Sequence, residues 1–182
     1  MGFVFAVVFL WLAQPSWRTL LASAVLVLPG LWLRGYASGY VKKNAELATT
    51  GPYAHTRNPL YLGSMLIAFG FAVAAASWVI LVVLAVLFAV IYLPTIRSEE
   101  AFLRDHFSGF NEYAARVPRI FPRLTAAVFP EHGNASGGSF SAVQWRHHRE
   151  YNALMGTGAI YLALAVRLFL QHQRFAGLHQ VR

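Results

Sequence analysis

Residues Gly51 to Gly63 read GPYAHTRNPLYLG. Two tyrosines, a histidine, an arginine and two prolines stand where a polar segment gives way to a long apolar one. The prolines restrict the backbone. Tyr53 and Tyr61 offer aromatic faces that attract cations, and His55, Arg57 and Asn58 supply hydrogen-bonding groups. A second polar knot follows at Arg97, Glu99 and Glu100. Together these side chains suit the cradling of a polar cofactor at a membrane surface. Singly, each has a plainer use. Arg57 could snorkel to lipid phosphates, the tyrosines could be interfacial anchors, and Arg97, Glu99 and Glu100 could be the solvated start of a helix. The whole set at adjacent helix ends favours a pocket, because clustered polar groups at membrane depth point to function.

The elements that must position them are apolar helices. Phe3 to Ala13 is apolar but spans only roughly 17 Å as a helix, short of the bilayer core. Gln14-Pro15-Ser16 makes a turn with Ser16 as N-cap. Thr19 to Leu33 forms a second span, kinked at Pro29, and Tyr36 to Thr50 is a polar, basic loop with a short helix. Leu60 to Ala76 is the third span, with Gly63, Gly70 and Ala74 on one face for close helix packing. After a tight turn at Ala76-Ser77-Trp78, Val79 to Leu93 returns as the fourth span and ends at Pro94. Arg97 to Arg116 has the pattern of an amphipathic helix lying on the membrane surface. His132 to Ser141 reads as a linker, and Tyr151 to Leu170 as a fifth span. The third and fourth spans form a hairpin, which brings Tyr53–Tyr61 beside Arg97–Glu100.

Composition agrees with this layout. The chain is 57% hydrophobic and 12% charged, about half the charge of a soluble domain. The apolar runs are continuous rather than alternating, which predicts an all-α polytopic membrane bundle of about five transmembrane helices with a cytoplasmic cofactor pocket. The net charge of +8 sits beside the apolar runs, a pattern set by topology and anionic lipid rather than by nucleic acid. Arg34–Arg57 and Arg97–Arg149 hold the larger share of the basic residues, and the acids lie in or directly beside them. The positive-inside rule makes both segments and the N-terminus cytoplasmic; on that side the sequon at Asn134 has no use. With no cysteine there is no thiolate nucleophile or Cys-based metal site. Gly156-Thr157-Gly158 follows no strand and is no dinucleotide loop. His147-His148 lacks metal-ligand spacing.

The run GPYAHTRNPLYLG, followed by Glu99-Glu100-x-x-Leu103 and by Tyr113-x-x-x-Val117-Pro118-Arg119, resembles the isoprenylcysteine carboxyl methyltransferases and the related phospholipid methyltransferases. Ala37-x-Gly39, Lys43, Leu47 and Thr50 resemble the bacterial members, and the likeness covers roughly 34–123. The resemblance implies S-adenosylmethionine as methyl donor and S-adenosylhomocysteine as product. It also implies a lipophilic or lipidated acceptor among the membrane lipids, and a place in the bacterial inner membrane. Carried over, Ala45, Glu46, Leu47 and Ala48 would pass the cofactor, Tyr53 would contact it, and Asn58, Pro59, Leu60 and Tyr61 would line its pocket. Glu99 would hold a polar part of it, with Glu100 able to exchange roles. Arg97, Arg57 and Glu100 are the catalytic candidates, and His55 is a cofactor-pocket residue or a base for an amine acceptor. Asn58 stands where the family commonly has histidine, Thr95 stands at the spacing of the substrate arginine of eukaryotic members, and Phe107-Ser108-Gly109 alters a Phe-Gly element. On this likeness 1–182 is one membrane domain: a methyltransferase-like core at 34–123, a cytoplasmic linker at 124–150 and a last transmembrane helix at 151–172.

Two other readings compete. Membrane sterol reductases share the Arg-x-Pro piece and would bind a reduced nicotinamide cofactor. A lipid-binding membrane module would bind no nucleotide cofactor. The paired acids before Leu103 favour the transferase.

Overall fold

The computed structural model describes residues 2–41, 46–129 and 139–179, and the described residues are helical with no strand. Helix α1 spans Gly2–Leu12, α2 Trp17–Ser38, α3 Pro59–Ala74, α4 Trp78–Leu87, α5 Leu93–His106, α6 Phe110–Arg116, α7 Ala142–His147 and α8 Tyr151–His179. Three stretches are long and apolar enough to cross a membrane: Trp17–Ser38, Trp78–His106 and Tyr151–Gln171. Helix α3 has 16 residues and α1 has 11, so neither reaches that length. The expected count was about five; the structure supplies three helices of full length and two short ones.

Each start has a local cause. Ser16 caps α2 by a reciprocal pair: its hydroxyl accepts from the Thr19 amide at 3.2 Å, and the Thr19 hydroxyl accepts from the Ser16 amide at 2.9 Å. Ser77 caps α4 by a single bond, its hydroxyl accepting from the Ile80 amide. Pro59 opens α3, where its missing N–H costs nothing. Helix α2 runs through Pro29 without ending.

Glycine lets α2 and α3 approach closely. A Cβ on Gly63 would lie 2.8 Å from the Gly30 carbonyl oxygen, and one on Gly30 would lie 2.8 Å from that of Gly63. Lower down, a Cβ on Gly70 would run into the Val27 side chain. The small face read from Gly63, Gly70 and Ala74 is therefore the α2 contact. The opposite face of α2 exposes Leu21, Val25, Leu28 and Trp32, a stripe at helical spacing suited to lipid.

At one end of the bundle the turns after α1 and α3 are tied together. The Gln14 amide donates to the Ala75 carbonyl at 2.7 Å, and the Thr19 hydroxyl to the Ala74 carbonyl at 3.2 Å. Arg167 of α8 reaches the same end and donates to the Ala13 and Trp11 carbonyls at 2.6 and 2.9 Å. Carbonyls left open at the end of α1 thus find a cation. Phe9, Leu20, Val27, Phe71, Ile80 and Leu164 pack between these ties.

The largest departure from expectation lies after Leu87. The fourth span does not end at Pro94. A π turn at Phe88–Tyr92 links α4 to α5, and the Leu93 amide donates to the Phe88 carbonyl five residues back. The widened turn shifts the hydrogen-bond ladder just ahead of the proline ring, which an unbroken α-helix would oppose. The Thr95 hydroxyl takes up the Ile91 carbonyl at 2.7 Å. The apolar span and Arg97–His106 therefore form one rod. The expected surface helix over Arg97–Arg116 is split at Phe107–Gly109, and only α6 lies apart from that rod. Ser108 and Gly109 are poor helix formers, and Phe107 is extended (φ −126°, ψ 112°).

Candidate active site

The end of the bundle away from Arg167 holds the polar residues. A short 3₁₀ turn at Gly51–Ala54 precedes α3. Gly51 sits at φ 58°, and a Cβ there would lie 2.6 Å from the Tyr40 ring; only glycine fits both the left-handed backbone and the space. The turn buries Tyr53 and presents Arg57 and Asn58 at the mouth of α3.

These residues are pinned to the segment after α6. The Arg57 guanidinium donates to Glu100 Oε1 at 2.9 Å, to the Ala114 carbonyl at 2.6 Å and to the Val117 carbonyl at 3.0 Å. Arg119 closes on the other carboxylate oxygen, Oε2, at 3.0 and 2.7 Å. The Asn58 amide donates to the Arg119 carbonyl at 2.9 Å, and the Thr56 hydroxyl to that of Ile120 at 3.0 Å. His55 Nδ1 lies 2.9 Å from the Arg123 carbonyl. The Tyr113 hydroxyl donates to the Tyr53 carbonyl at 2.8 Å. Glu100 is thus a clasp joining three segments, its side chain only 5% exposed. Its hydrogen bond to Arg119 holds that guanidinium protonated more firmly than usual.

Glu99, one residue earlier, points elsewhere. It is exposed and accepts from the Tyr61 hydroxyl at 2.8 Å. Tyr61 meets Tyr92 edge to face at 5.4 Å. The two adjacent acids therefore have different surroundings: Glu100 between two guanidiniums, Glu99 on a phenol at the cavity rim.

Between these groups lies a cavity of about 660 Å³. Of the residues named from the sequence, Glu46, Leu47, Ala48, Tyr53, Arg57, Asn58, Pro59, Leu60, Tyr61, Glu99 and Glu100 line it. His55 and Arg97 do not: His55 faces the Arg123 segment, and Arg97 is exposed on α5. Ala45 lies outside the described residues. The wall also includes residues that the sequence reading did not assign to the pocket: Arg34, Ser64, Tyr92, Phe107, His148 and Glu150. Burial, then the nearby Tyr113 phenol and the Glu99 and Glu150 carboxylates, push the Tyr53 phenol well above its ordinary value, so it stays protonated. Among the described residues no group of three or more His, Cys, Asp or Glu side chains is placed to hold a metal ion.

Glu150 arrives from beyond the core segment. The Ser141 amide donates to the Gly39 carbonyl at 3.0 Å, and the Phe140 ring stacks 6.2 Å from that of Tyr36. That docking places α7 on α2. Arg149, at φ 53°, then turns the chain into α8. The sequence carries the two charges, Arg34 near the end of one span and Glu150 at the start of another, but no spacing that pairs them.

An all-helical chain with three membrane-length helices and a polar cavity at their ends is an integral membrane protein in outline. Its central segment, residues 30–109, matches the family model for phospholipid methyltransferases. The match agrees with the likeness to the isoprenylcysteine carboxyl methyltransferases and their phospholipid-methylating relatives. Two curated relatives are similar over 95 residues. The cobalt-zinc-cadmium resistance protein CzcN of Cupriavidus metallidurans is 43% identical, over 52% of this chain and 43% of that protein. The nickel-cobalt-cadmium resistance protein NccN of Alcaligenes xylosoxydans xylosoxydans is 41% identical, over 52% of this chain and 44% of that protein. The chain therefore spans less than half the length of these relatives. No solved structure matches.

Proposed function

We propose that the protein transfers a methyl group from S-adenosylmethionine to a lipophilic acceptor, a carboxylate or a lipid headgroup, at the cytoplasmic surface of the bacterial inner membrane. The observation that carries this reading is the Tyr61–Glu99 hydrogen bond of 2.8 Å, which joins α3 to α5 across the rim of one 660 Å³ cavity. The donor set suits the proposed cofactor. Tyr53, Tyr61 and Tyr92 offer faces to a cation, and Glu99 can accept hydrogen bonds from amino or hydroxyl groups. When bound, S-adenosylmethionine supplies a methyl group activated on a positive sulfur. The chain's own task is then placement. The Glu100 clasp fixes Arg57 and Asn58, and with them the entry to α3. Leu47 and Phe107 beside Phe110 wall the cavity against water, and low dielectric favours a step in which opposite charges cancel. Helices α1 and α3 serve as the two short crossings of a five-helix bundle, with both basic segments facing the cytoplasm.

Equilibrium binding in detergent tests this against the reductase reading. S-adenosylhomocysteine should bind and a reduced nicotinamide cofactor should not; the reverse result rejects the proposal. Tyr61→Ala and Glu99→Ala should each weaken binding about tenfold, or ~1.4 kcal/mol. Glu99 is exposed, so its variant should keep the parental unfolding temperature; Tyr61 is half-buried against Tyr92, and its variant should lose a little. Unchanged affinity in both variants would remove the cavity from consideration as the donor site.

A further inference from the structure

Two cavities meet at Arg34. The polar one is described above. The second, of about 550 Å³, is walled by Phe9, Ile67, Phe71, Leu84, Gly156 and Ile160, and so lies between α1, α3, α4 and α8. Its volume is within the usual range of ligand sites. Arg34 and Ser64 line both cavities and are the polar seam between them.

The seam is specifically built. Gly63 makes room for the arginine stem, since a Cβ there would lie 2.6 Å from Arg34 Cγ. Arg34 Nη1 donates to the Ser64 hydroxyl at 2.5 Å. Nε and Nη2 then donate to the two oxygens of Glu150 at 3.1 and 3.0 Å. This is the forked geometry by which guanidinium recognises any carboxylate. A charged arginine on the apolar side of a helix bundle is costly and marks a ligand path.

We propose that Arg34 is the binding site for the carboxylate of the methyl acceptor, that the 550 Å³ groove takes the acceptor's hydrocarbon tail, and that Glu150 is an internal stand-in which the acceptor displaces. The inference rests on the methyl-transfer reading and narrows it to acceptors with a carboxylate head on a single apolar chain. Because Arg34 lines both cavities, one occupant held there would place an anionic head on the guanidinium and an apolar tail in the groove. An ammonium head would be repelled by Arg34 and could pair with Glu150 only by taking it from Arg34, which would leave the guanidinium without a counter-charge. The step balances without a base. One carboxylate oxygen forms a bond to the methyl carbon, the methyl–sulfur bond breaks, and its electron pair stays on sulfur. The products are a neutral ester and a neutral thioether, and no proton moves. The ester no longer attracts Arg34, so Glu150 can return and expel it.

The test uses the full chain in detergent with palmitic acid carrying a diazirine near the tail end. Irradiation should label α8 within 153–163, and palmitate should compete while hexadecylamine should not. Arg34→Gln should reduce labelling about tenfold. Glu150→Gln should raise it several-fold, whereas a purely structural ion pair would leave it unchanged or lower it. Gly156→Phe should block labelling, and since a Cβ at Gly156 meets nothing within 4 Å, the fold should tolerate it. That variant should bind S-adenosylhomocysteine within about twofold of the parent. Equal competition by the amine, stronger competition by hexadecyl phosphate, wild-type labelling of Arg34→Gln, or no gain in Glu150→Gln would overturn the proposal. Failure of S-adenosylhomocysteine to bind while labelling behaves as stated would reject methyl transfer and leave the fatty-acid site standing.

Discussion

Glu100 and Glu150 both enter the wall of the polar cavity, both meet a guanidinium, and their surroundings differ. Glu100 has two guanidiniums, Arg57 and Arg119, with Asn58 Nδ2 3.4 Å away as well. Arg57 Nη1 donates to the Ala114 and Val117 carbonyls. Its side chain is 11% exposed and that of Glu100 5%. Removing the carboxylate would strand a nearly buried cation with no exchange partner. Among the described residues Glu150 meets one guanidinium, Arg34; the two side chains are 9% and 26% exposed, and Arg34 stands between two cavities. A ligand carboxylate can replace Glu150 there like for like. The lesson is that partner number and access, not the distance of an ion pair, decide whether it braces the fold or can be exchanged.

Breaking the braced pair should give the largest effect. Glu100→Gln leaves Arg57 buried without its counter-charge, which costs about 3–5 kcal/mol. The unfolding temperature in detergent should fall steeply and S-adenosylhomocysteine binding should be lost with it. A stable Glu100→Gln protein with parental affinity would show that the three-segment clasp does not hold the cavity. Next in size is Gly63→Ala. The added methyl meets the Arg34 stem and the Gly30 carbonyl, and overpacking of this kind costs about 1–3 kcal/mol. The expected signature is a lower unfolding temperature together with weaker palmitate labelling, because the same methyl pushes on Arg34. Lowered stability with labelling unchanged would separate the α2–α3 contact from the seam.

Much of the cavity was legible because its residues are close in sequence and of unusual type for a membrane chain. Tyr53, Asn58, Tyr61 and Glu99 stand at the ends of one predicted hairpin, and hairpin geometry alone brings them together. Three things were not legible. Proline at position 94 reads as a helix end, and only the preceding π turn lets the span continue into Arg97–His106. Arg57 reads as a membrane-surface arginine, yet its partners lie on α5, in α6 and just after it, where no local pattern points back to it. Glu150 is 116 residues from Arg34 and follows a glycine-rich stretch. Its arrival depends on Phe140 stacking at Tyr36, a contact that neither periodicity nor capping encodes.

The smallest expected effect sharpens the comparison most. Arg97 is the basic residue nearest the paired acids in sequence, and so the natural choice to steer an acceptor carboxylate. The structure leaves it exposed on α5 and outside the cavity wall. Its neighbour Ile96 is buried and carries the packing of that turn. Arg97→Ala should therefore change methyl transfer and palmitate labelling by less than about twofold, with unfolding unaffected, because an exposed cation away from partners contributes little. Arg34→Gln in the same assay should lose the acceptor, with a lower unfolding temperature because Glu150, 9% exposed, is left without its counter-charge. If instead Arg97→Ala loses acceptor binding and Arg34→Gln keeps it, the carboxylate is held on α5, and the Arg34–Glu150 pair is a second brace rather than an exchangeable site.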